Sequence, residues 1–178
     1  MARPRRAAVA VVLAGAAVAV TLGVLGSVSN GPRELPAWVF SSTQSLKAWL
    51  ASAVAALVVV QLVSALWMFG KLPGVGAVPR AVKIVHRVSG ALAFVVSLPV
   101  AFYCLYGFGF DTATPRTLAH SLAGCLFYGA FTSKMLALRS ARLPGWTVPV
   151  LGGTVLTVFV LVWALSALRW FQLTGIAL

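Results

Sequence analysis

The feature that most constrains this chain is the repetition of apolar runs about 20 residues long, five in 178 residues, with only short polar connections between them. A run of that length crosses the ~30 Å hydrocarbon layer as a helix. The runs lie near residues 7–29, 45–69, 82–107, 115–138 and 148–171. None alternates as a strand would, and lipid offers no partner to an open backbone, so the expected fold class is an all-α integral membrane protein with five transmembrane helices in one membrane domain, residues 1–178. Composition agrees, since 61% of residues are hydrophobic and only 9% charged, against about a quarter charged in soluble domains.

The formal charge of +12 would otherwise point to nucleic acid. Here the basic residues bracket the apolar runs and form no tail or amphipathic face, so the lipid bilayer is the expected partner and nucleic acid is not. Arg3, Arg5, Arg6, Lys71, Arg80, Lys83, Arg87, Lys134, Arg139 and Arg142 fall on one side, and Arg33, Lys47, Arg116 and Arg169 on the other. The positive-inside rule then places the N-terminus in the cytoplasm and the C-terminus outside, in a bacterial-type plasma membrane. The first run follows a basic RPRR segment and ends near small residues, as a secretory signal does. Its apolar length of about 20 residues exceeds the usual signal core, so an uncleaved helix is expected.

The connections carry little chemistry. Segment 70–81, GKLPGVGAVPRA, has neither the ending nor the preceding strand of a phosphate-binding loop and reads as a turn. Segment 30–44 offers Trp38 as an interfacial anchor. Cys104 and Cys125 fall on consecutive runs at different depths and are not expected to pair, and each lacks a neighbouring Cys for a zinc or iron–sulfur site. The two acids, Glu34 and Asp111, both lie in connections, so a carboxylate proton relay has no parts inside a span.

The informative feature emerges when the surroundings of the two histidines are aligned. Residues 86–94 read HRVSGALAF and residues 120–128 read HSLAGCLFY, both H-x-x-[small]-G-x-L-x-[aromatic], 34 residues apart. A glycine four residues after a histidine lies one turn along the same helix face. His86 with Gly90, and His120 with Gly124, therefore each set an imidazole beside a notch. On the third run the face continues through Ala93, Ser97 and Ala101. Small residues of this kind let membrane helices pack closely. They also offer a smooth wall to a haem, whose iron takes imidazole as an axial ligand. His86 lies near one end of its run and His120 near the opposite end of the next, so their rings are expected roughly 25 Å apart along the membrane normal. They cannot share one iron.

Lys83-Ile84-Val85-His86, followed by Ala91-Leu92-Ala93-Phe94, and Ala119-His120-Ser121-Leu122-Ala123-Gly124 resemble the second and third core helices of the cytochrome b561 family of transmembrane electron carriers. The resemblance covers residues 82 to 138, and spans two and five only by position. It implies a four-helix core of spans two to five with span one added, haem b as cofactor, His86 and His120 as metal ligands, and electron transfer with other redox or membrane-complex subunits or within a homodimer. The chain departs from the family where the partner histidines should stand. Thr43 to Lys47 and Gly145 to Pro149 contain none, so bis-histidine ligation within one chain is excluded. Met68 and Met135 are the substitute ligands to test near His86, and Gln44, Tyr103 and Tyr106 the polar candidates near His120. Arg87 and Lys83 suit either lipid phosphates or haem propionates. A haem-free assembly or anchor subunit with the same fold is the alternative expectation.

Overall fold

The computed structural model describes residues 2–29 and 35–176, with side chains from Arg5 onward; Arg3, Arg33 and Glu34 fall outside what it describes. Helices α1 (Ala2–Val28), α2 (Thr43–Met68), α3 (Arg80–Phe102), α4 (Pro115–Leu138), α5 (Thr147–Trp163) and α6 (Arg169–Thr174) follow in order, and no strand occurs among the described residues. Wider turns at Tyr103–Phe108 and Ala164–Leu168 extend α3 and join α5 to α6, so five helices are long and apolar enough to cross a membrane. The protein is an all-α, multi-pass membrane protein.

Local chemistry sets the helix ends. The Ser42 hydroxyl accepts from Ser45 N–H at 3.0 Å and starts α2. A reciprocal Thr114–Thr117 box, with Pro115 in the first turn, starts α4. In α3 the expected run to residue 107 keeps its length: the helix carries Pro99 within it and continues into wider turns from Tyr103.

The chain divides into two compact units. One contains α1, α4 and α5, as residues up to Glu34 and Cys104–Ser166. Along α1 the small residues Gly15, Ala19, Gly23 and Gly26 recur at helical spacing, and α4 answers with buried Gly129, Ala130, Ser133 and Ala137. The backbones meet at Gly15 and Gly129: a Cβ on Gly129 would stand 2.6 Å from the Gly15 carbonyl oxygen. Ser133 Oγ donates across this seam to Val11 O at 3.1 Å. With little hydrophobic drive between helices in lipid, such small-residue approach is what joins them. The first span is thus tightly seated on α4. At its C-terminal end, Gly26 O accepts from Phe110 N–H at 2.9 Å, which satisfies one of the carbonyls a helix leaves open. Gly109, at φ +71°, makes the turn that brings Phe110 there. Between α4 and α5, the Phe127 and Phe159 rings meet at a tilt with centroids 5.9 Å apart, and Arg116 Nη1 donates to Leu165 O at 2.7 Å, inside the wide-turn segment.

The other unit contains α2, α3 and α6, as Leu35–Tyr103 with Ala167–Leu178. Buried Ser89, Ala93 and Ser97 form the packing stripe of α3, and Ser45, Leu46, Ala48, Val54 and Ser64 are the buried residues of α2. Trp49 meets Phe171 of α6 edge to face at 5.4 Å. The α2–α3 connection turns through Gly70 and Gly74, both at positive φ, and Trp67 Nε1 donates to Gly76 O at 3.1 Å. It is a turn, as its sequence indicates. Tyr103 Oη donates to Pro36 O at 2.5 Å.

Candidate functional site

His86 and His120 belong to different units and, despite their shared motif, have different surroundings. His86 is the seventh residue of α3 and half-buried. Its Nδ1 lies 2.8 Å from Ser64 Oγ of α2. The Ser64 hydroxyl has one proton, and Val60 O stands 2.6 Å away to take it. Ser64 therefore accepts from Nδ1–H, and the ring's lone pair sits on Nε2.

One turn on, Gln61 of α2 reaches across to α3. Its Nε2 donates to His86 O and, at 2.7 Å, to Ser89 Oγ. Ser89 gives its own proton to Val85 O at 2.7 Å, just as Ser64 gives its proton to Val60 O. Each serine is thus tied to its own helix and accepts from the facing one, and both amide protons of Gln61 are used. The carboxamide lies against Gly90: a Cβ there would be 3.0 Å from Gln61 Oε1 and 3.2 Å from Nε2. The notch beside His86 is filled by protein. A macrocycle laid on Gly90 would have to expel the carboxamide and break both of its bonds, so this half-site does not fit a haem.

His120, the sixth residue of α4, is different. Its Nδ1 is the one buried side-chain nitrogen or oxygen without a hydrogen-bond partner among the described residues. Leaving such a group unmet costs about 1–3 kcal/mol. Gly124, one turn further along α4, has nothing within 4 Å of where its Cβ would be. Next to His120, Ser121 accepts from Asp111 N–H at 3.1 Å and holds the connection that leads into α4. The ring nitrogen is left unsatisfied and no protein atom fills the notch at Gly124, so this half-site, unlike the one at Gly90, is not occupied by the chain's own side chains.

The remaining sequence candidates separate in the same way. Met68 ends α2, one turn past Ser64, and Met135 is exposed on α4. Met135, expected near His86, belongs to the unit of α1, α4 and α5, whereas His86 belongs to the other. Lys83 and Arg87 are exposed on α3. Gln44 is exposed on α2, Tyr103 has its hydroxyl committed to Pro36, and Tyr106 lies in the wide turns that follow α3. Cys104 and Cys125 are both thiols, as expected. No group of three or more His, Cys, Asp or Glu side chains gathers among the described residues. Sequence reasoning missed Gln61 and Ser89. The signal for Gln61 was present, as the lone carboxamide in the apolar body of span two, where a polar side chain demands a partner.

Comparison with known proteins yields no matching curated protein and no matching solved structure. A family model described as a family of unknown function, DUF6529, matches residues 8–178, nearly the whole chain, and the protein belongs to that family.

Proposed function

We propose that this protein is a membrane electron-transfer subunit of the cytochrome b561-like type, holding a b-type haem at His120. The observation that carries the reading is the buried, unpartnered Nδ1 of His120 next to the open notch at Gly124. His120 would hold the haem through its imidazole, and Gly124, with no side chain, would leave room beside it. A bound haem supplies a one-electron carrier in the bilayer. The protein's own part is to place the imidazole within the first two turns of α4, near one membrane face, and to surround it with apolar helix surface that keeps water out. A residue of a partner redox subunit, or His120 of a second copy, would hold the group together with this His120. Ten basic residues against four orient the chain with its N-terminus in the cytoplasm of a bacterial-type plasma membrane. Lys83 and Arg87, exposed on α3, then reach lipid phosphates.

One observation favours a second reading, a haem-free assembly or anchor subunit. His86 is engaged in a hydrogen-bonded clasp between α2 and α3, which is a structural use of a histidine. The visible spectrum separates the two. Full-length protein produced with haem supplied and purified in mild detergent is expected to absorb in the visible region and to change on dithionite reduction. His120→Ala should abolish that absorption and His86→Ala should retain it. A colourless wild-type protein sinks the haem reading and leaves the anchor reading standing.

A further inference from the structure

The unit of α1, α4 and α5 contains a groove of about 340 Å³ between the start of α1 and the start of α5, and His120 is not among its lining residues. Ala8 and Val12 form one wall, Leu143, Trp146 and Leu151 the other, and Arg5 supplies the one charge in the lining. Three further arginines lie close in sequence to its lining. Arg6 is next to Arg5, Arg142 precedes the lining residue Leu143, and Arg139 caps α4 a few residues earlier. All four are exposed. Asp111, the one acid among the described residues, precedes α4, whereas Arg139 follows it. The 24 residues of that helix separate the two by more than about 30 Å. No carboxylate among the described residues neutralises the arginine-bearing end.

We propose that this groove binds an anionic phospholipid of the surrounding bilayer, with an acyl chain along the apolar walls and the phosphate at Arg5. The proposal is independent of the haem reading and uses only the protein's place in a membrane. Trp146, 65% exposed at the start of α5, sets the mouth of the groove at headgroup level, where tryptophan concentrates. The groove surface is almost wholly apolar, so Arg5 lends its aliphatic stem to the wall and keeps its exposed guanidinium at the rim. Basic pockets between membrane helices recognise anionic headgroups by this combination. A partner helix would instead need an apolar face running the length of a span, and this groove is confined to the helix ends.

The test uses the full chain purified in a neutral detergent, with palmitoyl-oleoyl phosphatidylglycerol or the phosphatidylcholine of identical chains added. Native mass spectrometry reads the retained adducts. Wild type should hold phosphatidylglycerol at about five-fold higher occupancy than phosphatidylcholine, the effect of one basic residue at a membrane surface. Arg5→Gln should erase that preference, and Arg6→Gln, one residue outside the lining, should keep it. Val12→Trp, at an exposed position, should fill the groove and lower retention of both lipids. Equal retention of the two lipids by wild type overturns the proposal. So does an equal loss in Arg5→Gln and Arg6→Gln, undiminished binding in Val12→Trp, or a second copy of the chain appearing as the adduct.

Discussion

The seating of α1 on α4 rests on one close approach, and Gly129→Ala attacks it directly. The added methyl would stand 2.6 Å from Gly15 O and 3.0 Å from Ala19 Cβ, where ordinary contact begins near 3.4 Å. The first obstacle is helix backbone, which cannot swing aside, so the helices must separate locally by about 0.4–0.8 Å. That shift lengthens the Ser133 Oγ–Val11 O bond from 3.1 Å beyond hydrogen-bonding range. Overpacking of this kind costs about 1–3 kcal/mol. A lost interhelical bond in a membrane adds about 0.6–1.7 kcal/mol. Replacing glycine in a helix returns up to about 1 kcal/mol, for a net loss of about 0.6–4 kcal/mol. The assay is reversible unfolding in mixed micelles of dodecyl maltoside and SDS, followed by far-UV circular dichroism. Gly153→Ala is the control, because nothing lies within 4 Å of its Cβ position. Gly15→Ala should cost at least as much as Gly129→Ala, because its methyl would meet the Ser133 hydroxyl as well as Gly129 O, and the double variant less than their sum, since either methyl opens the same seam. If Gly129→Ala is within about 0.5 kcal/mol of the control, the seam is not what holds α1.

Two further outcomes test the clasp between α2 and α3. Gln61→Leu removes both cross-helix bonds but leaves Ser89 tied to Val85 O, so it should cost about 1–2 kcal/mol in the same assay and leave any haem absorption intact. A spectrum that vanishes with Gln61→Leu would place the cofactor at His86, contrary to the packing. Ser64→Ala should cost about 1–3 kcal/mol by stranding His86 Nδ1–H. The same change made in His86→Leu should be nearly neutral, and a coupling below about 0.5 kcal/mol would show that the two side chains do not act as a pair.

The sequence by itself determined the spans and their ends. Hydropathy over about 20 residues is a local sum, and the Thr114–Pro115 start of α4 is local chemistry, so the expected and observed span boundaries differ by three residues or fewer except at the start of α1, which begins five residues earlier, at Ala2. Tertiary structure alone decided which faces meet. HRVSGALAF and HSLAGCLFY are alike as strings and predict two equivalent half-sites. Gln61 fills the notch at Gly90, while nothing fills the one at Gly124, because the deciding residue is 29 positions away from Gly90 and on another helix. The glycines of span one likewise acquire meaning only against Gly129, more than 100 residues on, where two backbones touch. In a bilayer every helix is already satisfied along its own length, so hydropathy ranks no pairing above another. Small notches and a few polar side chains that must find partners select the one that forms.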